Sequence, residues 1–370
     1  MKIAIFHELP FGGARDGVYY FGEGLSKNRI TVDLYYVSNE EEKREASFFR
    51  NIYFYNFVPR KWTGNNWKAR LYNDTIALLK LNNLHKEIAQ KIDENDYDLV
   101  LVNGSQYIEA PFILKYLSTF KVFYCHDPNY RIIYEKILFL NNNKLNLFKR
   151  KYENFNRLIR KFIDKINFNN ADLILANSIY AKKTIKKTYG KNSQVVYPGV
   201  DINFFSPKAC RKDIDIFYIG SYEKIDGFDL LRKSLIDLPG KIVLKTKMNE
   251  DGWISDRAII RDYYRRSRIV VCLAFNEPFG SVPIEAMSCS VPVIAVNSGG
   301  YLETVVNNKT GYLINRNSSE LADKIIGLLN DKNKLKKMGE AGRKEAVNKW
   351  SWNLRSKELS EVLHKAIKNK

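Results

Sequence analysis

Short apolar runs that alternate with helix-forming stretches constrain this chain more than any other feature. Residues 2–6 read as a strand ending in a Pro/Gly loop, 7–13, ahead of a helix over 18–27 and a second strand over 31–37. Residues 98–103, 122–125 and 171–176 repeat the pattern, each run followed by polar residues and a helical stretch. Strands separated by helices place parallel neighbours in one sheet, with helices over both faces. The pattern breaks at Tyr197-Pro198-Gly199 and starts afresh at 214–219, continuing through 241–245, 269–273, 293–296 and 311–314, with helices over 283–288 and 321–329. Two doubly wound α/β domains are expected, over 1–190 and 191–352. The lysine-rich, helical 353–370 is left free to pack back on the first. The length, 370 residues, suits two such units, and neither a solenoid period nor a long low-complexity tract interrupts them.

Composition narrows the class. The 60 Lys+Arg against 41 Asp+Glu give a net charge of +19, spread almost evenly over both halves. Such an excess suits nucleic acid, a membrane surface or an anionic small molecule. No helix-turn-helix, RNP or KH signature is present, so nucleic acid is not the expected partner. Cys125, Cys210, Cys272 and Cys289 lie far apart with no CxxC pair, which argues against zinc, a redox dithiol or a disulfide scaffold and fits a reducing compartment. The four apolar residues at 3–6 are too few for a signal-peptide core, and no apolar run is long enough to span a bilayer. A cytoplasmic protein is expected.

One stretch concentrates the charge: 131–166 holds ten Lys/Arg against three acids. Phe148, Tyr152, Phe155, Ile159, Phe162 and Ile166 recur there at helical spacing, interleaved with Arg150, Lys151, Arg157, Arg160, Lys161 and Lys165. The commoner use of such a pattern is an aromatic stripe joined to the core under a solvated basic face. The alternative is a basic amphipathic surface resting on anionic lipid headgroups.

Chemistry concentrates in Glu277-Pro278-Phe279-Gly280-Ser281 and the residues up to Glu285. An apolar strand leads in. Pro283 suits the first turn of a helix and Ser281 its cap, while Gly280 lets the backbone approach a ligand. The N–H groups of Gly280, Ser281 and Val282 then form an anion site at a helix amino end, where the dipole adds about 1 kcal/mol. A carboxylate beside phosphates would repel them, so Glu285 suits the hydroxyls of a ribose and Glu277 those of a sugar.

The segment from Glu277 to Glu285, with Gly299-Gly300 and Glu303, resembles the nucleotide-sugar glycosyltransferases of the GT-B fold, specifically the retaining family 4. Ala176-Asn177-Ser178, Pro198-Gly199-Val200-Asp201, Thr310-Gly311 and Gly12-Gly13 match as well. The likeness implies two Rossmann-like domains facing a central cleft, with no metal and no cofactor beyond the donor. It puts Glu285 on the donor ribose. Glu277, Pro278, Phe279, Gly280 and Ser281 would hold the transferred sugar and diphosphate, with Gly12 and Gly13 approaching from the first domain. His126 would sit beside the sugar, and Asp127 and Arg131 on the acceptor side.

One departure stands out. Where the family has an Arg and a Lys that neutralise the diphosphate, this chain has Ser221 and Asp226. Lys224, Lys245 and Lys247 are the expected substitutes, and the stretch between Gly227 and Glu277 looks shortened by one βα unit. Asp213 and Asp215 spell an acidic pair, but they precede a strand and are expected to be solvated. The implied activity is retaining transfer of a sugar from a nucleoside diphosphate to a lipid-linked or growing glycan at the inner membrane face. A soluble enzyme with a small acceptor, and a nucleotide-sugar binder with weak transfer, are the alternatives.

Overall fold

The computed structural model describes residues 1–42, 46–61, 66–128, 147–236, 242–249 and 252–370. They divide into two compact units, one of residues 1–177, 181–196 and 356–370, the other of 178–180 and 197–355.

The first unit is built on seven strands: Lys2–Glu8 (β1), Thr31–Ser38 (β2), Ile52–Asn56 (β3), Leu99–Ser105 (β4), Lys121–Cys125 (β5), Leu173–Ala176 (β6) and Gln194–Val195 (β7). Their order is β3-β2-β1-β4-β5-β6-β7, parallel throughout. β1, β2 and β4 are buried almost end to end, as a sheet covered on both faces requires. Chain direction across the sheet reverses between β1 and β4, and ligands of such sheets lie beyond the carboxyl ends at that reversal. The 190/191 cut expected from the sequence falls inside this unit, because β7 pairs with β6 after it. The last helix, Trp352–Lys368, also ends here: Ser356 Oγ donates to the Tyr20 carbonyl, 3.4 Å away.

The second unit holds five parallel strands, Ile214–Tyr218 (β8), Leu244–Thr246 (β9), Ser267–Cys272 (β12), Val293–Val296 (β13) and Gly311–Ile314 (β14), in the order β14-β13-β12-β8-β9. A two-stranded hairpin, Met248–Asn249 (β10) with Gly252–Trp253 (β11), stands between β9 and β12. Here the reversal lies between β8 and β12. A core of aliphatic and aromatic side chains, Phe217, Tyr264, Ile269, Ile284 and Leu321 among them, fills the space between sheet and helices.

The helix Leu147–Asn169 overturns the expected direction of its apolar stripe. Asn156, Asp164 and Asn167 are buried, while Phe155, Leu158, Ile159, Phe162 and Ile166 are exposed. Asp164 accepts from the Ala110 N–H at 2.8 Å and from the Tyr189 hydroxyl at 2.8 Å, and Asn167 donates to the Ala110 carbonyl at 3.0 Å. The helix docks through Asp164 and Asn167 together with Phe168, fully buried against Phe123 and Tyr189, and the stripe from Phe155 to Ile166 faces outward. No helix among the described residues is long and apolar enough to cross a membrane.

Candidate functional site

At the carboxyl end of β12 the chain turns through Asn276, at φ 51°, and Gly280, at φ 90°, into the helix Ser281–Ser288. A side chain on Gly280 would be strained by that φ and would meet the Tyr301 ring at 2.7 Å. The cap is therefore Gly280, not Ser281 as expected. Ser281 is the first helical residue, Pro283 sits in the first turn, and no side chain caps the helix. That leaves the first N–H groups to an outside acceptor. Gly299, at φ 63°, packs so tightly on the Glu277 backbone that an added Cβ would collide with its carbonyl. The Gly300 N–H donates to that carbonyl at 2.7 Å. The pair of glycines thus shapes the turn that carries Glu277.

Glu277 and Glu285 are both half-buried. Tyr264, fully buried, donates its hydroxyl to Glu285 Oε2 at 2.8 Å, and burial together with that carboxylate pushes the phenol's pKa well up. Cys272 behind them is likewise raised, by burial and then by the charges of Glu277 and Glu285. Tyr264 orients Glu285 and carried no signal in the sequence beyond an aromatic at helical spacing. Glu303, from the same matched block, instead accepts from the Ile179 and Tyr180 N–H groups at 2.8 and 2.9 Å and from the Tyr197 hydroxyl at 2.7 Å. It caps the start of a helix.

The Ser221 and Asp226 positions are closed on each other. Asp226 Oδ2 accepts from the Ser221 N–H at 3.0 Å and its hydroxyl at 2.6 Å. Lys224 is exposed, Lys245 has its ammonium 5.8 Å from the Tyr263 ring centroid, and Lys247 is half-buried with its N–H bonded to the Tyr218 carbonyl. Asp213 and Asp215, at the strand entry, pair with Arg266 and Arg268.

In the first unit, Gly12 and Gly13 are exposed at the start of the helix Gly13–Lys27, past the carboxyl end of β1, and this helix too has no side-chain cap. Arg15 behind them is buried in a 2.7 Å ion pair with Glu42, whose other oxygen accepts from Tyr19. His126 follows β5. Asn103 donates Nδ2 to the Phe6 carbonyl at 3.2 Å and turns Oδ1 to His126 Nε2 at 3.1 Å. That amide orientation makes Nε2 the protonated nitrogen of a neutral ring. Burial holds the imidazole down at about 4, and His7 at about 3 through burial, Arg15 and His126.

Glu109, which sequence reasoning missed, is buried under this turn. Its Oε1 accepts from the Cys125 thiol at 3.2 Å and from the His126 and Asp127 N–H groups at 3.0 and 3.1 Å. Burial and the nearby Asp127 carboxylate raise its pKa well above the ordinary value. Arg131 lies outside the described residues.

The basic residues of the helix Leu147–Asn169 divide. Arg150, Lys151 and Lys165 are exposed, and Arg157 and Lys161 half-buried. Arg160 is turned inward, donating to the Tyr107 carbonyl at 2.6 Å and to Asp74 at 2.7 Å. It belongs to the docked face, not to an open basic surface.

Known proteins similar to this chain are glycosyltransferases. The model for Glycosyltransferase Family 4 matches residues 11–204, and the model for glycosyl transferases group 1 matches 232–345. An alpha-1,3/1,6-mannosyltransferase ALG2 from Dictyostelium discoideum is 25% identical, covering 99% of this chain and 98% of that protein. A GDP-mannose-dependent phosphatidylinositol monomannoside mannosyltransferase from Mycobacterium tuberculosis is 41% identical, over 24% of this chain and 23% of its own. The solved sucrose-phosphate synthase of Thermosynechococcus elongatus superposes with a TM-score of 0.76 at 18% identity, covering 100% of both chains. Anabaena HepE, solved with UDP and glucose, gives 0.67 at 17% identity, with 98% and 99% covered. These structural likenesses establish the GT-B fold.

Proposed function

This chain belongs to glycosyltransferase family 4 and is a nucleotide-sugar glycosyltransferase, and from that premise we propose that it performs retaining transfer to a lipid-linked or growing glycan at the cytoplasmic face of a membrane. The observation that carries the donor half is the uncapped helix Ser281–Ser288, with Glu277 before it and the Tyr264-oriented Glu285 within it. The diphosphate takes the N–H groups of Gly280, Ser281 and Val282, the ribose hydroxyls donate to Glu285, and those of the sugar to Glu277. Pro278 and Phe279 shape the turn. In the first unit, Asp127 and Arg131 serve the acceptor.

In the reaction the bond from the anomeric carbon to the diphosphate breaks and a bond to the acceptor oxygen forms on the same face. The acceptor proton passes to the leaving phosphate. Fixed N–H dipoles lower the barrier because charge grows on the diphosphate as the bond breaks. The chemistry calls for no metal. GDP-mannose is the donor to test first, since the Dictyostelium relative is a mannosyltransferase and the mycobacterial one is GDP-mannose-dependent.

The exposed stripe of the helix Leu147–Asn169 supports the membrane half. Phe155 is 63% exposed and Phe162 68%, too much apolar surface on one helix face for water alone, and Lys151 and Lys165 beside it are exposed. Binding then rests on apolar insertion, with lysines adding attraction to anionic lipid. The test is transfer from labelled GDP-mannose to extracted lipid acceptors, with co-sedimentation on phosphatidylglycerol vesicles. Phe155→Ser with Phe162→Ser should weaken sedimentation by about tenfold or more. Unchanged sedimentation would remove the membrane half.

A second reading, a nucleotide-sugar binder with weak transfer, is favoured by the closed Ser221–Asp226 pair. Donor binding without turnover on any lipid or glycan acceptor would select it.

A further inference from the structure

We propose that Arg316 supplies the fixed positive charge for the donor's phosphates at the reversal point of the second sheet, an assignment that rests on the nucleotide-sugar reading. β8 and β12 are hydrogen-bonded neighbours, and the chain leaves them in opposite directions across the sheet, from β8 to β9 and from β12 to β13. Open α/β sheets take ligands beyond the carboxyl ends at such a reversal. The loop after β8 commits Ser221 and Asp226 to each other.

Arg316 reaches the same place from the far edge, two residues past β14. Its Nη1 donates to the Leu273 carbonyl, just past β12, at 2.8 Å. Its Nη2 donates to the Lys224 carbonyl, in the loop after β8, at 3.2 Å. The Phe275 N–H donates to the Ile225 carbonyl at 2.8 Å, tying the same two loops. The guanidinium therefore bridges the two segments that flank the reversal. The Phe275 ring centroid lies 5.8 Å from its central carbon.

Its charge is held in place and is met there only by a long ion pair with Asp229. Both hydrogen-bond acceptors are neutral carbonyls. The carboxylate of Asp229 is 3.9 Å from Nη2, beyond hydrogen-bond distance, and the Arg316 side chain is 29% exposed. These two bonds use two of five N–H donors, and the planar fork suits the oxygens of a phosphate. An orientation fixed beforehand costs little entropy when the anion arrives.

The experiment is calorimetric titration of the full chain with GDP and UDP, and with guanosine and uridine as controls lacking phosphate. Arg316→Gln should weaken the diphosphate that binds by about tenfold, the worth of one charge-assisted hydrogen bond, and leave its nucleoside unchanged. Arg316→Lys should recover part of the loss. Asp229→Asn, which removes the competing carboxylate, should tighten the diphosphate and not the nucleoside, and it decides the matter if Arg316→Gln does not fold. Equal losses for nucleotide and nucleoside in Arg316→Gln would make the residue a loop tie and overturn the proposal. So would wild-type diphosphate affinity in that variant, or no change in Asp229→Asn. A wild-type chain that binds neither diphosphate would overturn the donor reading and this assignment together.

Discussion

The helix Gly13–Lys27 follows the first strand of one sheet, the helix Ser281–Ser288 the central strand of the other, and each starts at a positive-φ glycine with no side-chain cap. Around the first, polar groups are taken inside and neutralised. His7 and His126 are held uncharged, Glu109 is pushed towards its protonated form, and Arg15 is spent on Glu42. Around the second, Glu277 and Glu285 remain half-buried, and Arg316 is fixed by carbonyls. The same backbone device serves two purposes. One edge buries His7, Glu109 and Arg15, and the other leaves Glu277 and Glu285 half-buried.

The largest effect should separate the two edges outright. Glu277→Gln is expected to lower turnover by about 100-fold or more, in the range of lost transition-state contacts. Glu109→Gln, which keeps an acceptor for the buried N–H groups and resembles a protonated acid, should stay within about threefold of wild type. Equal losses would erase the distinction, as measured by sugar transfer from labelled donor.

Acid should act next, and unevenly. The pKa values of His7 and His126 are depressed in the folded chain, so the unfolded chain binds protons that the native state refuses. Their stabilisation is complete above 6.5 and is lost as pH falls towards about 4 for His126 and about 3 for His7. Hydrogen exchange in β1 and β4 should therefore accelerate over that window ahead of β12 and β13. The pKa of Glu109 is raised, so its contribution has the opposite sign: present below the ordinary carboxylate value and lost as pH rises through the shifted one. Glu109→Gln should flatten that alkaline-side slope. Simultaneous acid loss in both sheets would contradict the assignment.

Smaller effects probe the second edge alone. Tyr264→Phe removes the donor that orients Glu285, about 1 kcal/mol, and should weaken nucleotide binding by about fivefold in a calorimetric titration. Replacing Lys224 and Lys245 together with alanine should change donor affinity by no more than about twofold, as for exposed charges in water. A larger loss would return the diphosphate to those lysines.

The alternation of strands and helices was enough to predict two parallel α/β units, because burial on both faces leaves apolar runs visible in any order. The strand–turn–helix at Glu277 was equally legible, since its parts are contiguous. What escaped depends on partners distant in sequence. A 3.6-residue period defines a helix face without saying which way it points. For Leu147–Asn169 the direction was decided by Asp164 and Asn167, through bonds to Ala110 and Tyr189, and by Phe168, packed on Phe123 and Tyr189. Glu109 lies 16 residues before Cys125 and Arg316 lies 43 after Leu273, the groups they serve. No spacing rule connects such pairs. The Gly280 cap in place of Ser281 reflects a local competition in which close packing on Tyr301 admits no side chain.

The central claim, that the second sheet's carboxyl edge holds the donor diphosphate, is tested most directly by nuclear magnetic resonance of amide-labelled protein titrated with GDP and UDP. The account predicts that the largest shifts fall on the N–H groups of Gly280, Ser281 and Val282, with little change at the sheet's opposite end near Lys212 and Arg268. Saturable shifts confined to that opposite end, with the Gly280–Val282 amides unmoved, would contradict it.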